Sequence, residues 1–176
     1  MNKLISEESL FKGPRFEIIR KIYQREDGIK YLRDIVNPGN AVMILAVDSY
    51  KNVTFIKQFR EAANRMNLEL PAGMIDEGET PEEAARRELE EETGLRANKM
   101  TLLKEVFTSS GYSSEKIYIY LAEDLEEGIR HLDDTEEINE IVRLSIDDAM
   151  DHVLNNELPA ACENLALLTY YYKFME

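Results

Sequence analysis

The chain has 176 residues, 44% of them apolar and 32% charged, with 21 Lys and Arg against 35 Asp and Glu for a net charge of −14. That length suits one domain with one substantial core, and that composition excludes both a disordered polyelectrolyte and a membrane-spanning bundle. So negative a surface repels phosphate backbones and anionic lipids and attracts cations, so neither a nucleic-acid nor a membrane partner is expected.

No apolar run reaches the roughly 18 residues of a spanning helix. The start turns acidic at Glu7-Glu8 before a signal-peptide core could form. The one cysteine, Cys162, can make no internal disulfide, and no Cys/His cluster suggests zinc. The expected compartment is cytoplasmic.

In chain order, Phe16 to Tyr23 and Lys30 to Val36 are β-rich runs around a hairpin-type turn at Glu26-Asp27-Gly28. Asn37-Pro38-Gly39-Asn40 punctuates the chain, so residues 1–40 are expected to form a β extension to a domain over residues 41–176, the whole being effectively one domain. Ala41 to Val47 is a continuous apolar run, as in a strand buried on both faces. A turn leads to a strand at Val53 to Phe59. Leu68 to Gly73 then enters a loop. Thr80-Pro81-Glu82-Glu83 starts a helix with a hydroxyl cap, a Pro at the first helical position and a Glu three residues past the cap; Gly94 stops it. Further strands are expected at Met100 to Phe107, Ile117 to Leu121 and Glu140 to Leu144. Ser145 caps a helix to about Asn155, and Pro159 opens another to about Phe174. Strands in the middle with helices flanking them predict an α/β fold with a mixed sheet.

The helix after Thr80 is unusually acidic. Between Glu82 and Glu92 lie six Glu and two Arg. At about 100° per residue, Glu88, Glu91 and Glu92 share one face with Ala84, while Ala85 and Leu89 form the stripe that packs on the sheet. Arg86 and Glu90 point away and can pair in solvent. Arg87 lies between Glu83 and Glu91 and can neutralise or orient them. Carboxylates about 5 Å apart repel by roughly 3 kcal/mol at an effective dielectric of 20, a cost that a cation among them removes. Oxygen-only donors select a hard ion, Mg²⁺ or Mn²⁺, over zinc. A merely solvated acidic face is the competing reading.

Reading outward gives Gly73, five residues, Glu79, seven residues, then Arg87-Glu88-Leu89-Glu90-Glu91-Glu92-Thr93-Gly94-Leu95. This resembles the Nudix hydrolase signature at every fixed and hydrophobic position. Phe59-Arg60-Glu61-Ala62 and Leu68 to Gly78 further resemble the ADP-ribose pyrophosphatases and related nucleotide-sugar hydrolases. The resemblance implies a Nudix-type α/β/α sandwich. It implies Mg²⁺-dependent hydrolysis of the diphosphate of ADP-ribose or another nucleoside diphosphate sugar, giving AMP and ribose 5-phosphate. By position, Glu88 and Glu92 would be metal ligands, Glu91 a ligand or near-ligand with a catalytic part, and the Ala72 carbonyl a further ligand. Glu79 would pair with Arg87 and hold the loop against the helix, and Gly73 would admit close backbone approach. Arg60 would hold a phosphate, Arg33 and Asp34 would lie near the adenosine end, and Met74 and Glu115 are further substrate contacts. The family also implies a homodimer built through the N-terminal strands, with each active site lined by both subunits. Without substrate roles, Arg60 would be a surface ion pair and Asp34 a solvated strand residue.

Two features leave alternatives open. The subgroup usually carries Pro about sixteen residues past the last signature Gly, where this chain has Ser110; GDP-mannose or another sugar nucleotide therefore stays open as substrate. A nucleotide-sensing module of the same fold is the non-catalytic alternative, and an acidic protein whose helix docks a basic partner is a third. The general base tends to be a loop Glu outside the signature helix, which points to Glu137, then Glu136, as base or additional ligand. His131 and His152 lie in no nucleophile arrangement. Leu165, Leu168 and Tyr172 follow helical spacing and are expected in the core or a dimer contact, with Cys162 a small buried side chain.

Overall fold

The apolar run Ala41 to Val47 is the middle of a sheet. In the computed structural model, which describes residues 2–132 and 138–175, it forms β4 (Ala41–Val47), buried along nearly its whole length. The chain groups into two compact units, Met1–Asn40 with Val106–Ile117, and Ala41–Glu105 with Tyr118–Glu176.

The first unit holds an antiparallel sheet of β1 (Lys3–Lys12), β2 (Glu17–Gln24) and β3 (Lys30–Asn37), in that order. β2 and β3 pair from Glu17 opposite Asn37 to Gln24 opposite Lys30. Gly28, at φ 85°, turns the hairpin and donates to the Arg25 carbonyl at 3.0 Å. β1 has no counterpart among the expected strands. Its sequence lacks a period-two pattern, its pairing with β2 is irregular at Leu4/Ser6 and Ser9/Phe11, and all ten of its residues are exposed. The segment after residue 106 joins this unit through β3: Val36 N–H donates to the Tyr112 carbonyl at 2.9 Å, and Ser114 N–H to the Val36 carbonyl at 3.0 Å.

In the second unit the strands run in the order β10 (Ile138–Ser145), β5 (Asn52–Arg60), β4, β9 (Lys116–Glu127), β8 (Leu95–Phe107) among the described residues. β6 (Arg65–Glu69) pairs with β5, and β7 (Ala72–Met74) with β4. β6 and β7 fall where the sequence suggests loop. β6 is polar and only five residues long, and Pro71 separates it from β7. On one face of β4, Val42, Ile44 and Ala46 pack with Ala84, Ala85 and Leu89 of α1 (Pro81–Thr93), beside Leu95, Ala97, Tyr120 and Ala122. The alternate residues Met43, Leu45 and Val47, on the opposite face, are buried too. α2 (Ile146–Leu154) packs on β10 and β5, and α3 (Ala161–Phe174) packs on α2. The fold is the expected α/β/α sandwich.

α3 starts two residues beyond Pro159, with Asn164 Nδ2 donating to the Leu158 and Ala160 carbonyls. Its buried stripe is Glu163, Ala166, Leu167 and Tyr170, not Leu165, Leu168 and Tyr172: Tyr172 is 72% exposed, and Cys162 is half-buried. The helical period is as expected and its phase is not, because a run apolar on several sides does not show which side faces the sheet.

α1 has the ends its sequence predicts. The Thr80 side chain accepts from Glu83 N–H at 3.3 Å while the Glu83 carboxylate takes Thr80 N–H at 2.9 Å; Gly94 closes the helix at φ 72°, its N–H donating to the Glu90 carbonyl at 2.8 Å. Thr80→Ala should lower stability by about 1 kcal/mol, read as a lower urea midpoint at unchanged m-value.

Candidate active site

Because α1 is pinned at both ends and seated on β4 by Ala85 and Leu89, its acidic face is held against β7. Glu88 is 5% and Glu92 1% exposed, and Glu91 is partly open. Glu92 Oε2 accepts the Ala72 N–H at 2.9 Å, which ties the helix to the strand that carries Gly73. Gly73 is where the two come closest. A Cβ built there would overlap the Glu88 carboxylate, so only glycine lets this group sit against the backbone.

Arg87 organises the rest. Its Nε and Nη2 donate to the two Glu79 oxygens at 2.9 and 3.0 Å. Nη1 donates to Glu88 Oε1 at 2.7 Å and Glu91 Oε2 at 3.0 Å, and Nη2 also reaches the Met74 carbonyl at 2.9 Å. One planar guanidinium thus joins helix, β7 and the loop before the helix, a task that lysine's single ammonium could not do. The Glu79 hydrogen bonds, with help from Glu88 and Glu91, make Arg87 hold its proton even more firmly than usual. Glu79 is held below the ordinary carboxylate range by Arg87, against its own desolvation. Two pairings differ from expectation. Arg86 pairs with Glu82 at 2.8 Å, not Glu90, and Glu90 pairs with Arg96 at 2.7 Å; Glu83 is taken by Thr80 and not by Arg87.

Arg60 stands on β5 in a bidentate ion pair with Glu69 of β6, with contacts of 2.6–3.1 Å. Burial works against its charge, but Glu69 outweighs that and raises its pKa. Glu69 also accepts from Asn67 Nδ2 at 3.0 Å. Sequence reasoning misses both Glu69 and Asn67: their i,i+2 spacing signals a shared face only once β6 is recognised as a strand. Met74 ends β7 with its side chain 38% exposed.

Arg33, Asp34 and Glu115 belong to the other unit. There Arg33 lies 4.7 Å from the Tyr31 ring centre, Asp34 pairs with Arg20 at 2.8 Å, and Glu115 accepts from Thr108 Oγ1 at 2.7 Å. Glu136 and Glu137 lie outside the described residues. His131 is exposed, and His152 contacts Glu157 at 2.5 Å.

Comparison with known proteins shows the family. A family described as the NUDIX domain matches residues 37–163. The chain belongs to the Nudix family. It is 36% identical over 158 residues to an ADP-ribose pyrophosphatase of Bacillus subtilis (strain 168), covering 89% of this chain and 85% of the relative. It is 31% identical over 153 residues to a methanol dehydrogenase activator of Bacillus methanolicus, covering 86% and 82%. The crystal structure of an ADP compounds hydrolase superposes with a TM-score of 0.85 at 26% identity, covering 97% of this chain and 92% of that one. The chain is thus a Nudix hydrolase, an enzyme acting on phosphoric anhydrides.

Nudix hydrolases generally require a divalent metal, and the donors here fit one. Among the described residues no three His, Cys, Asp or Glu side chains converge as they stand on one metal-sized point. Yet Glu88, Glu91 and Glu92 bring three carboxylates and Arg87 the cation beside them, and Glu88 and Glu92 are buried. The surplus negative charge and the all-oxygen donor set suit a hard divalent ion.

Gly73→Ala should displace Glu88 and lower turnover ~100-fold, with circular dichroism unchanged. The pH dependence of the Glu79–Arg87 pair follows from its sign. Glu79 has a lowered folded pKa, so the pair's stabilisation is present above the unfolded value near 4.5 and lost as pH falls through the folded value. Glu79→Gln should therefore cost about 1–2 kcal/mol at pH 7, and the difference, measured by urea unfolding, should narrow as pH falls below 4.5.

Proposed function

We propose that the chain hydrolyses the diphosphate of ADP-ribose or a related nucleoside diphosphate sugar, adding water across the P–O–P bond to give AMP and ribose 5-phosphate from ADP-ribose. The observation that carries this reading is the seating of Glu88 against Gly73, with Arg87 joining Glu79, Glu88 and Glu91. The names of the B. subtilis relative and of the crystallised hydrolase support the substrate class.

Glu88, Glu91 and Glu92, with the Ala72 carbonyl, would hold Mg²⁺, or Mn²⁺ in its place. The bound ion supplies charge neutralisation at the diphosphate and a more acidic water. Arg87 holds the Glu88 and Glu91 carboxylates, and Glu79 holds Arg87, which keeps both carboxylates together on one flank of the helix. The Ala72 N–H holds one Glu92 oxygen, which orients the other. Arg60, already anchored by Glu69, would take a substrate phosphate, with Met74 a further substrate contact of the same unit; Arg33, Asp34 and Glu115, of the other unit, are substrate contacts by resemblance to the family alone. Glu137, then Glu136, is our choice for the base that takes the proton from the attacking water.

A homodimer through the N-terminal sheet, residues 1–40 serving as a β extension to the domain at 41–176, completes the reading. Its support is the exposed edge strand β1 with Leu4, Ile5, Leu10 and Phe11 uncovered. A cytoplasmic setting fits a nucleotide substrate, and no described helix is long and apolar enough to cross a membrane. Hydrolysis of GDP-mannose is the second reading, favoured by Ser110, which stands where the ADP-ribose subgroup carries a proline.

Incubation with ADP-ribose and Mg²⁺ should yield AMP and ribose 5-phosphate in equal amounts, and chelation should abolish the reaction reversibly. Glu92→Gln should lose at least ~100-fold in turnover while remaining folded. Full activity in that variant would remove the metal assignment; faster turnover of GDP-mannose would favour the second reading.

A further inference from the structure

One buried carboxyl has no part in the chemistry above. Glu163, in the first turn of α3, is 4% exposed, and its Oε2 has no hydrogen-bond partner among the described residues. It faces Glu69 and Arg60 closely enough for each to act on its charge. Those two share one face of the β5–β6 pair with Gln58 and Asn67: Gln58 stands opposite Asn67 in the register, and Arg60 and Glu69 lie two residues further along their strands. Asn67 Oδ1 and Gln58 Oε1 are also buried without a partner among the described residues. These three atoms are oxygens, as is Asn164 Oδ1, the fourth such atom among the described residues, so what each lacks is a donor.

Glu69 is not the group to supply it. It accepts the Arg60 guanidinium bidentately and an Asn67 amide N–H, interactions that favour its ionised form. Among the described residues Glu163 Oε2 has no cation bonded to it. Ionised, it would be a second buried negative charge beside Glu69. Protonated, it loses that charge and turns an oxygen acceptor into an O–H donor. Burial is the largest influence on this carboxyl; a hydrogen bond from its own backbone N–H opposes it, as Arg60 does, while Glu69 adds to it, and its pKa is pushed up to about 7.

We propose that Glu163 is a positioning residue for Arg60: as a neutral acid it donates a hydrogen bond on the Arg60–Glu69 face and leaves the guanidinium's remaining charge to the anionic substrate. Ionised, it competes for Arg60 and repels the diphosphate, so substrate binding weakens as pH rises through neutrality. Among the described residues, the charged groups that act on it are Glu69 from β6 and Arg60 from β5, while Glu92 of α1 acts on Arg60; no charged group of α2, on which α3 packs, is among them. On its own helix its neighbours Ala161, Cys162 and Asn164 bring no carboxylate or cation. The proposal rests on the reading of Arg60 as a phosphate-binding residue.

The test is KM and kcat for ADP-ribose from pH 6 to pH 9 at saturating Mg²⁺, for the wild type, Glu163→Gln and Arg60→Ala. Wild-type KM should rise roughly 5-fold or more across that range with kcat following its own profile; Glu163→Gln, a neutral isostere that still donates, should keep the low KM throughout. Glu163→Met, similar in volume but without a donor, should show a flat and raised KM. Infrared difference spectra of the metal-free protein should contain a protonated-carboxyl band at pH 6 that fades by pH 9 and is missing from both variants at position 163. A wild-type KM rise persisting in Glu163→Gln, or no such band, overturns the proposal. If Arg60→Ala leaves KM unchanged, the phosphate reading of Arg60 falls and takes the proposal with it. If Arg60→Ala raises KM but Glu163→Gln behaves as wild type, the proposal alone falls.

Discussion

Three carboxylates crowded along one flank of α1 are the constraint around which this protein is built. Glu88 and Glu92 are buried, Glu91 lies beside them, and Arg87 is the cation bonded to two of the three. Left to themselves such groups would repel, take up protons or turn to water. Here the surrounding structure keeps Glu88 and Glu92 from turning to water. The capping box and Gly94 hold the helix ends, Ala85 and Leu89 seat it on β4, and the Ala72 N–H and Gly73 bring the β7 backbone onto the carboxylates. On the reading proposed above, this surplus of negative charge is balanced by a divalent cation, which would receive a diphosphate that the bare helix would repel.

The same economy of positive charge recurs at Arg60. Its guanidinium serves Glu69 first and stands within the influence of Glu92 and Glu163. An acidic protein with an acidic substrate sets each cation near its site among carboxylates, bonded to some and within the field of others.

Much of this is legible in the residues. The spacing from Gly73 through Glu79 to Gly94 places the helix, its caps and the acidic face, because capping and helical period are local physics that few neighbours can override. The Glu79–Arg87 pair is legible as well. What the residues do not show depends on distant partners. β1 and β6 carry too little pattern to be read as strands and exist because β2 and β5 hydrogen-bond to them. Arg86 pairs with Glu82 and not Glu90 because Arg96, from the next strand, takes Glu90. The phase of α3, and with it the burial of Glu163, is set by tertiary packing that no spacing within α3 records.

The most direct measurement is Mn²⁺ uptake by the folded protein, followed by electron paramagnetic resonance with and without AMP. The account predicts saturable binding at millimolar Mn²⁺ or below, lost in the folded Glu88→Gln/Glu92→Gln double variant and competed by Mg²⁺. Absence of binding with or without nucleotide, or binding that survives in the double variant, would contradict it.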